Sequence, residues 1–159
     1  MITTERQTVD IIHRVDIQAP VAKVYAALAT IDGIAGWWTK ETSGVSKVGD
    51  LIEFRFTSPR GEEMGVMKME VLALDPDKRV HWRVRTGPEE WVGTDVTFDL
   101  TQAGDYTIVL FGHRNWREAV EFTAHCSTKW AVFMLSLKQL LETGKGRPAP
   151  GDVKIDNWN

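Results

Sequence analysis

The segment FTAHCSTKWAVFMLSLKQLLETG, Phe122 to Gly144, predicts a long helix near the end of the chain. Apolar side chains recur in it at steps of three and four residues, the spacing that places them on one face of an α-helix. Gly144 is suited to end this helix, because glycine adopts the left-handed conformation at a helix C-terminus without a steric penalty. The apolar stripe consists of Cys126, Trp130, Phe133, Leu137 and Leu140.

The single cysteine of the chain, Cys126, lies on this stripe next to His125. Neighbouring residues of a helix point about 100° apart, so these two side chains cannot face each other as base and nucleophile. Two interpretations remain: a buried thiol that packs as a small apolar group, and a reactive thiol that faces a pocket. Buried, unreactive cysteines are the more common, and we predict that Cys126 is structural.

The chain before this segment alternates in a way that predicts strands and two short helices. Residues 9–17 carry apolar side chains at odd positions, as half-buried strands do. Pro20 is suited to open a helix over VAKVYAALATI, and DGIAGWW predicts a second, shorter one. Five alternating runs separated by turn sequences then indicate an antiparallel meander. In the last run, YTIVLFG, both faces are apolar, and we expect Ile108 and Leu110 to point inward.

The composition of the chain restricts the cellular compartment and the classes of binding partner that we expect. The length of 159 residues fits one domain over residues 1–159. A net charge of -3 provides no basic surface for phosphates, which argues against a nucleic-acid partner. We find no apolar run typical of a signal peptide or a membrane span. One cysteine cannot form an internal disulfide, which fits a reducing compartment, and we expect a cytoplasmic protein.

Motifs for catalysis, metals and nucleotides are missing from the sequence. The four histidines do not have the spacing of metal ligands, and no glycine-rich phosphate loop or nucleophile elbow occurs. We therefore predict no metal, no cofactor and no set of catalytic residues. His13 is in phase with the apolar face of the first strand, either as a core histidine or as a polar group in a cavity. The other polar side chains considered for proton transfer are Cys126, Tyr25 and Tyr106.

The order of these elements, with the motifs IQAPVAKVYAAL, IAGWWT and VTFDLT and the C-terminal segment quoted above, resembles the SRPBCC or START-like superfamily. Within it, the chain is similar to the bacterial branch of homologues of the activator of the heat-shock chaperone ATPase, which is also described as polyketide-cyclase-like. The resemblance implies an α+β helix-grip fold. In this fold a curved antiparallel sheet wraps a long C-terminal helix, two short helices follow the first strand, and a mostly apolar cavity lies between sheet and helix.

The resemblance also implies a binding site for a small hydrophobic or aromatic molecule. Of Trp37 and Trp38, one is expected to fill the core and the other to cover the mouth of the cavity, and the sequence leaves the assignment open. His13 is the candidate polar group of the site. The candidate ligand contacts are Phe54, Phe56, Met67, Met69, Trp82, Val96, Phe98, Trp116, Phe122, Cys126, Trp130, Phe133, Met134 and Leu137.

Three functions agree with this resemblance. A binding module needs only the apolar cavity. An enzyme of the cyclase or aromatase kind would also need polar groups that move protons on a hydrophobic substrate. A regulator of a heat-shock chaperone ATPase would need a surface for its chaperone partner. The binding module makes the fewest demands on the sequence, and it is the function we predict.

Overall fold

The computed structural model describes residues 7–158 of the chain. Within this range a strand is followed by two short helices, six further strands and a long helix. The elements in chain order are β1 Val9–Ile17, α1 Val21–Ala29, α2 Ile31–Ala35, β2 Glu41–Gly44, β3 Leu51–Thr57, β4 Glu63–Asp75, β5 Arg79–Thr86, β6 Asp95–Ala103, β7 Tyr106–Trp116 and α3 Glu121–Thr143.

The strands form one curved antiparallel sheet in the order β1-β7-β6-β5-β4-β3-β2. Strands β3 to β7 are a meander, and β1 joins its far edge by pairing with β7. Helices α1 and α2 carry the chain from one edge of the sheet to the other. The long helix α3 packs on the inner face of the sheet, so the predicted α+β helix-grip fold is confirmed.

The predicted helix ends are close to those of α3. The Thr123 hydroxyl accepts a hydrogen bond from the Val120 backbone N–H (3.1 Å) in the first turn. Gly144 ends the helix with a φ of 88°, and its N–H donates to the Leu140 carbonyl at 2.9 Å. The buried face includes Cys126 and the other members of the predicted stripe as far as Leu137. No helix in residues 7–158 is long and apolar enough to cross a membrane.

The inward faces of the strands follow the alternation of the sequence except in β7. Val96 and Phe98 of β6 are fully buried, as predicted. In β7, however, Leu110 is 39% exposed whereas Val109 and Phe111 are fully buried, so the expected phase was wrong by one residue. The pairing with β1 explains the phase. Residues directly opposite each other in an antiparallel pair point to the same side, and Phe111 lies opposite His13.

Strand β2 was not predicted. It consists of the sequence ETSG, which is four residues long and polar, so it carries no hydrophobic alternation. It pairs with β3 at the edge of the sheet, and its Thr42 hydroxyl donates to the Thr39 carbonyl at 2.7 Å. The short strand therefore depends on its partner strand and on side-chain hydrogen bonds, not on a pattern of its own.

The corner between α1 and α2 requires a glycine at position 33. The Thr30 hydroxyl accepts the Gly33 N–H (3.0 Å) and donates to the Ala26 carbonyl (2.7 Å), which caps α2 against the end of α1. A Cβ on Gly33 would lie 2.6 Å from the Ala26 oxygen and 2.6 Å from Ala27 Cα. The two helices can approach this closely only because residue 33 has no side chain.

We predict that Gly33→Ala destabilises the protein by ~1 to 3 kcal/mol, because backbone atoms must move to admit the methyl group. The matched control is Gly65→Ala in β4, where an added Cβ meets nothing within 4 Å. That variant should be as stable as the wild type or more stable by ~0.4 to 1 kcal/mol, because the unfolded chain loses freedom. Urea denaturation measures both. Equal stability of the two variants would contradict the close approach at Gly33.

Candidate ligand-binding cavity

A cavity of about 210 Å³ lies between the first half of α3, the ends of strands β3 to β5, and the C-terminal segment, residues 145–158. The helix contributes one wall and the sheet with its loops a second. The C-terminal segment closes the third side. The lining side chains are mostly apolar: Trp38, Phe56, Met64, Met67, Trp91, Phe122, Cys126, Trp130, Phe133 and Trp158, with Lys129, His125, Asp152 and Lys154 as its charged or titratable members.

The predicted site residues divide into two groups in the structure. One group lines the cavity: Phe56, Met67, Phe122, Cys126, Trp130 and Phe133. The other group is buried in the packed core outside the cavity: Phe54, Met69, Trp82, Val96, Phe98, Trp116, Met134 and Leu137. Periodicity identifies side chains that face inward, but it does not distinguish those that border a cavity from those that fill the core.

His13 and the two tyrosines lie outside the cavity wall. His13 Nε2 is 2.9 Å from the Ser127 carbonyl oxygen of α3, so the ring joins β1 to the helix. Tyr106 is exposed, and Tyr25 is partly buried on α1. Burial, with Asp75 and Asp77 nearby, raises the pKa of Tyr25, which keeps its phenol protonated. None of the three is placed to act on a molecule in the cavity.

The structure assigns the two neighbouring tryptophans. Trp37 is buried in the core, and its indole N–H donates to the Ala27 carbonyl at 2.9 Å. Trp38 lines the cavity and stands at the centre of an aromatic cluster. Its ring centroid lies 4.4 Å from that of Phe54, 4.9 Å from that of Trp130 and 6.1 Å from that of Trp82. Trp38 therefore connects the packed core to the cavity wall.

The turn between β3 and β4, with Met64 at the start of β4, was not predicted as part of the wall, and neither were two further parts, the loop after β5 and the C-terminal segment. Trp91, in the loop after β5, is buried and stacks on Trp130 with the ring centroids 6.0 Å apart. The C-terminal segment contributes Asp152, Lys154 and Trp158. Neither part has a regular hydrophobic period. The only signal in the sequence is a tryptophan in each of two otherwise polar stretches.

His113 of β7 is fully buried behind this wall and was also missed. The Trp130 indole N–H donates to His113 Nδ1 at 3.0 Å. The imidazole therefore carries its proton on Nε2 and donates it to the Thr94 hydroxyl oxygen at 2.8 Å, and Thr94 donates in turn to the Trp91 carbonyl at 2.6 Å. Burial lowers the pKa of His113 to about 3, against a small opposing effect of Asp95. The ring is a neutral structural link between two cavity tryptophans.

Cys126 lines the cavity as a protonated thiol. Burial raises its pKa to about 12, which an interaction with the Trp91 side chain only partly opposes. The Trp91 indole N–H thus lies close to the sulfur, yet it has no hydrogen-bond partner of full strength. A neutral thiol of this kind is a poor nucleophile.

The charged part of the wall lies where α3 faces the C-terminal segment. Lys129 forms an ion pair with Asp152 and also donates to the Val153 carbonyl at 3.0 Å. Lys154 approaches the other oxygen of Asp152 at 3.4 Å. One turn earlier on the helix, His125 Nδ1 is 2.7 Å from Asp156, and this contact lowers the pKa of that carboxyl group.

The backbone fixes the other end of the C-terminal segment. Ala149 accepts a hydrogen bond from the Lys40 N–H at 3.1 Å and donates to the Trp38 carbonyl at 2.8 Å. The segment therefore crosses the cavity between a backbone anchor at Ala149 and side-chain pairs with α3. In residues 7–158 no group of three or more His, Cys, Asp or Glu side chains could hold a metal ion.

A curved antiparallel sheet that grips a long helix beside an apolar cavity defines an SRPBCC-type fold of the ligand-binding kind. The family model described as "Activator of Hsp90 ATPase homolog 1-like protein" matches residues 18–142. The chain belongs to this family, which confirms the predicted resemblance. A comparison with curated proteins found no match.

Solved structures agree with this assignment. The Aha1 dimer of Colwellia psychrerythraea is 46% identical, with a TM-score of 0.77 over 87% of this chain and 99% of that one. CalU16 of Micromonospora echinospora is 19% identical, with a TM-score of 0.67 over 87% and 83% of the two chains. DynU16, from the dynemicin biosynthetic locus, is 20% identical, with a TM-score of 0.71 over 86% and 48%. The last two likenesses show the fold alone.

We predict that Cys126 of the native protein reacts very slowly with a thiol reagent such as 5,5′-dithiobis(2-nitrobenzoate) at pH 8. With a pKa of about 12, on the order of one thiol in ten thousand is ionised at that pH, and the sulfur is buried. The measurement compares the reaction rate of the folded protein in buffer with that of the protein unfolded in roughly 6 M guanidinium chloride. Equal rates in the two solutions would show that the thiol is accessible and reactive.

We predict that His113 makes the protein less stable as the pH falls. Its folded pKa of about 3 lies below the ordinary value of 6.5, so the unfolded chain binds the proton more tightly. The contribution is complete above pH 6.5 and is lost progressively toward pH 3. Between pH 7 and pH 5 this group lowers the free energy of unfolding by about 2 kcal/mol. Urea denaturation of His113→Gln over this range should show a shallower pH dependence than the wild type, and an unchanged slope would contradict the assignment.

Proposed function

We propose that the protein binds a small hydrophobic molecule, of the size of one or two aromatic rings, in the cavity between α3, the sheet and the C-terminal segment. The observation that carries the proposal is the wall formed by Trp38, Trp91 and Trp130 around about 210 Å³ of space. An engineered apolar cavity of about 150 Å³ in another protein holds benzene. The present cavity is larger, so a bicyclic aromatic molecule is a reasonable upper size.

The walls of the cavity favour binding because they are already ordered. Trp130 is held by His113, and Trp91 is held through its own carbonyl by Thr94. Little side-chain freedom remains to be lost when a ligand enters, and a preformed site binds more tightly for that reason. Met64 and Met67 add flexible side chains that can adapt to the shape of the ligand.

Apolar contact alone supports only weak binding. An aromatic group as large as those of protein side chains buries roughly 150–250 Å². At roughly 25 cal/mol per Å² this burial stabilises the complex by about 4 to 6 kcal/mol, before the loss of ligand freedom is subtracted. Such energies correspond to dissociation constants of about 1 mM to tens of μM. Tighter binding requires a polar contact as well.

A cyclase-like reaction has less support, because the histidines at the cavity are already engaged with other residues: His125, which lines it, is paired with Asp156. Both ring nitrogens of His113 are engaged, and the ring lies behind Trp91 and Trp130. The thiol of Cys126 stays protonated.

A second candidate function, regulation of an Hsp90-type ATPase, is favoured by the family and by the 46% identity to the Aha1 of Colwellia psychrerythraea.

We predict that the neutral bicyclic fluorescent probe 1-naphthylamine binds the wild-type protein with a blue-shifted emission. Cys126→Phe should reduce binding at least ~10-fold, because the added ring occupies the cavity. Leu110→Phe is the matched control. It introduces the same residue on the outer face of β7, where Leu110 is exposed, and should leave binding unchanged.

The outcome of this titration also separates the two candidate functions. If neither this probe nor a library of small aromatic molecules binds the wild type, the binding proposal is wrong. Stimulation of a purified Hsp90-type ATPase by the same preparation would then favour the regulatory function. Circular dichroism of both variants shows whether the substitutions preserve the fold.

A further inference from the structure

We propose that the cavity selects molecules whose apolar body carries a carboxylate, and that Lys129 binds this group. The inference rests on the proposed function and names the class of ligand. Its basis is the polar end of the cavity, where Lys129 of α3 meets Asp152 and Lys154 of the C-terminal segment. The tryptophans that line the same cavity would hold the apolar body.

The charges that line the cavity are unbalanced. Lys129 and Lys154 are both positive, and among the described residues that line the cavity Asp152 is the one carboxylate. Its two oxygens are already divided between the two lysines. The neighbouring Asp156 is paired with His125 and does not line the cavity. A negatively charged ligand would therefore complete the pairing, whereas a cationic ligand would add a third positive group.

Two of the groups at the cavity wall are hydrogen-bond donors with spare capacity. A lysine ammonium group has three N–H bonds, and Lys129 directs donors to Asp152 and to the Val153 carbonyl. The Trp91 indole N–H is buried at the wall, and within the described part of the chain no acceptor of full strength meets it. A carboxylate, which only accepts, complements such a site better than an amine or an alcohol.

Lys129 is nearly buried, which increases the effect of its charge. Its side chain is 13% exposed and that of Asp152 is 5% exposed. Its ammonium nitrogen also lies 5.1 Å from the ring centroid of Phe133, which lines the cavity. An ion pair at such a position is screened less by water than one on the surface. The apolar and the charged contacts thus meet on one turn of α3.

Asp152 occupies the position that the ligand carboxylate would compete for. Asp152 pairs with Lys129 from the C-terminal segment. When Lys129 binds a ligand carboxylate instead, Asp152 can remain paired with Lys154. This competition leads to an unusual expectation: removing the charge of Asp152 should strengthen the binding of an acid. A residue that only maintains the fold would have the opposite effect, because its loss would weaken all ligands.

The test compares 2-naphthylacetic acid with 2-(2-naphthyl)ethanol, which has a similar size and no charge. Each competes with 1-naphthylamine for the cavity at pH 7.5 and low salt. We expect the wild type to prefer the acid roughly tenfold. Asp152→Asn should bind the acid more tightly and the alcohol equally well. Lys129→Met should bind both equally, and Lys129→Arg should keep the preference.

Several results would overturn the inference. Equal affinity of the wild type for acid and alcohol would remove the selectivity while leaving the proposed function intact. Weaker binding of both compounds to Asp152→Asn would show that Asp152 acts only on the fold. If neither compound nor the probe binds the wild type, the proposed function fails and the inference fails with it. Probe binding by each variant shows that its cavity is still formed.

Discussion

The hydrogen bond from the Trp130 indole N–H to His113 links the long helix to the sheet in the buried interior. Apolar packing holds α3 on the sheet but is not directional, so it does not by itself set the orientation of a ring. The hydrogen bond does, and it extends through Thr94 to the loop that carries Trp91. The two stacked indoles of the cavity wall therefore depend on one neutral imidazole, whose burial favours that neutral form.

The cavity lies at one end of α3 because the other end is filled. Toward the C-terminus of the helix, the Ser136 hydroxyl donates to the Trp37 carbonyl at 2.8 Å, and a Cβ on Gly36 would lie 3.0 Å from Leu140. The corner formed by α1 and α2 thus occupies the space between helix and sheet there. Near Trp130 the opening is lined instead by the C-terminal segment. The same helix therefore borders the packed core at one end and the cavity at the other.

Much of this architecture could be predicted from hydrophobic periodicity, including α3, β1 and the inward faces of β3 to β6. The phase of β7 could not, because YTIVLFG is apolar on both faces and only its pairing with β1 decides the register. That one-residue error concealed His113, which the correct phase would have placed inward beside Phe111. Periodicity also gives no information on depth, so it does not separate the core residue Trp82 from the cavity residue Phe56. The C-terminal segment has no period, and its role depends on tertiary contacts.

The C-terminal segment has a consequence for the speed with which a guest molecule enters and leaves. It forms one side of the cavity but belongs to neither the sheet nor α3, and its last contacts with the helix are the pair of Asp156 with His125 and the packing of Trp158 on Phe122 and His125. A local opening of this segment uncovers the cavity while the aromatic core stays packed, and local openings of this kind cost less than global unfolding. Exchange kinetics and overall stability are therefore separate properties of this molecule, and evolution can adjust one by changing the tail without altering the other.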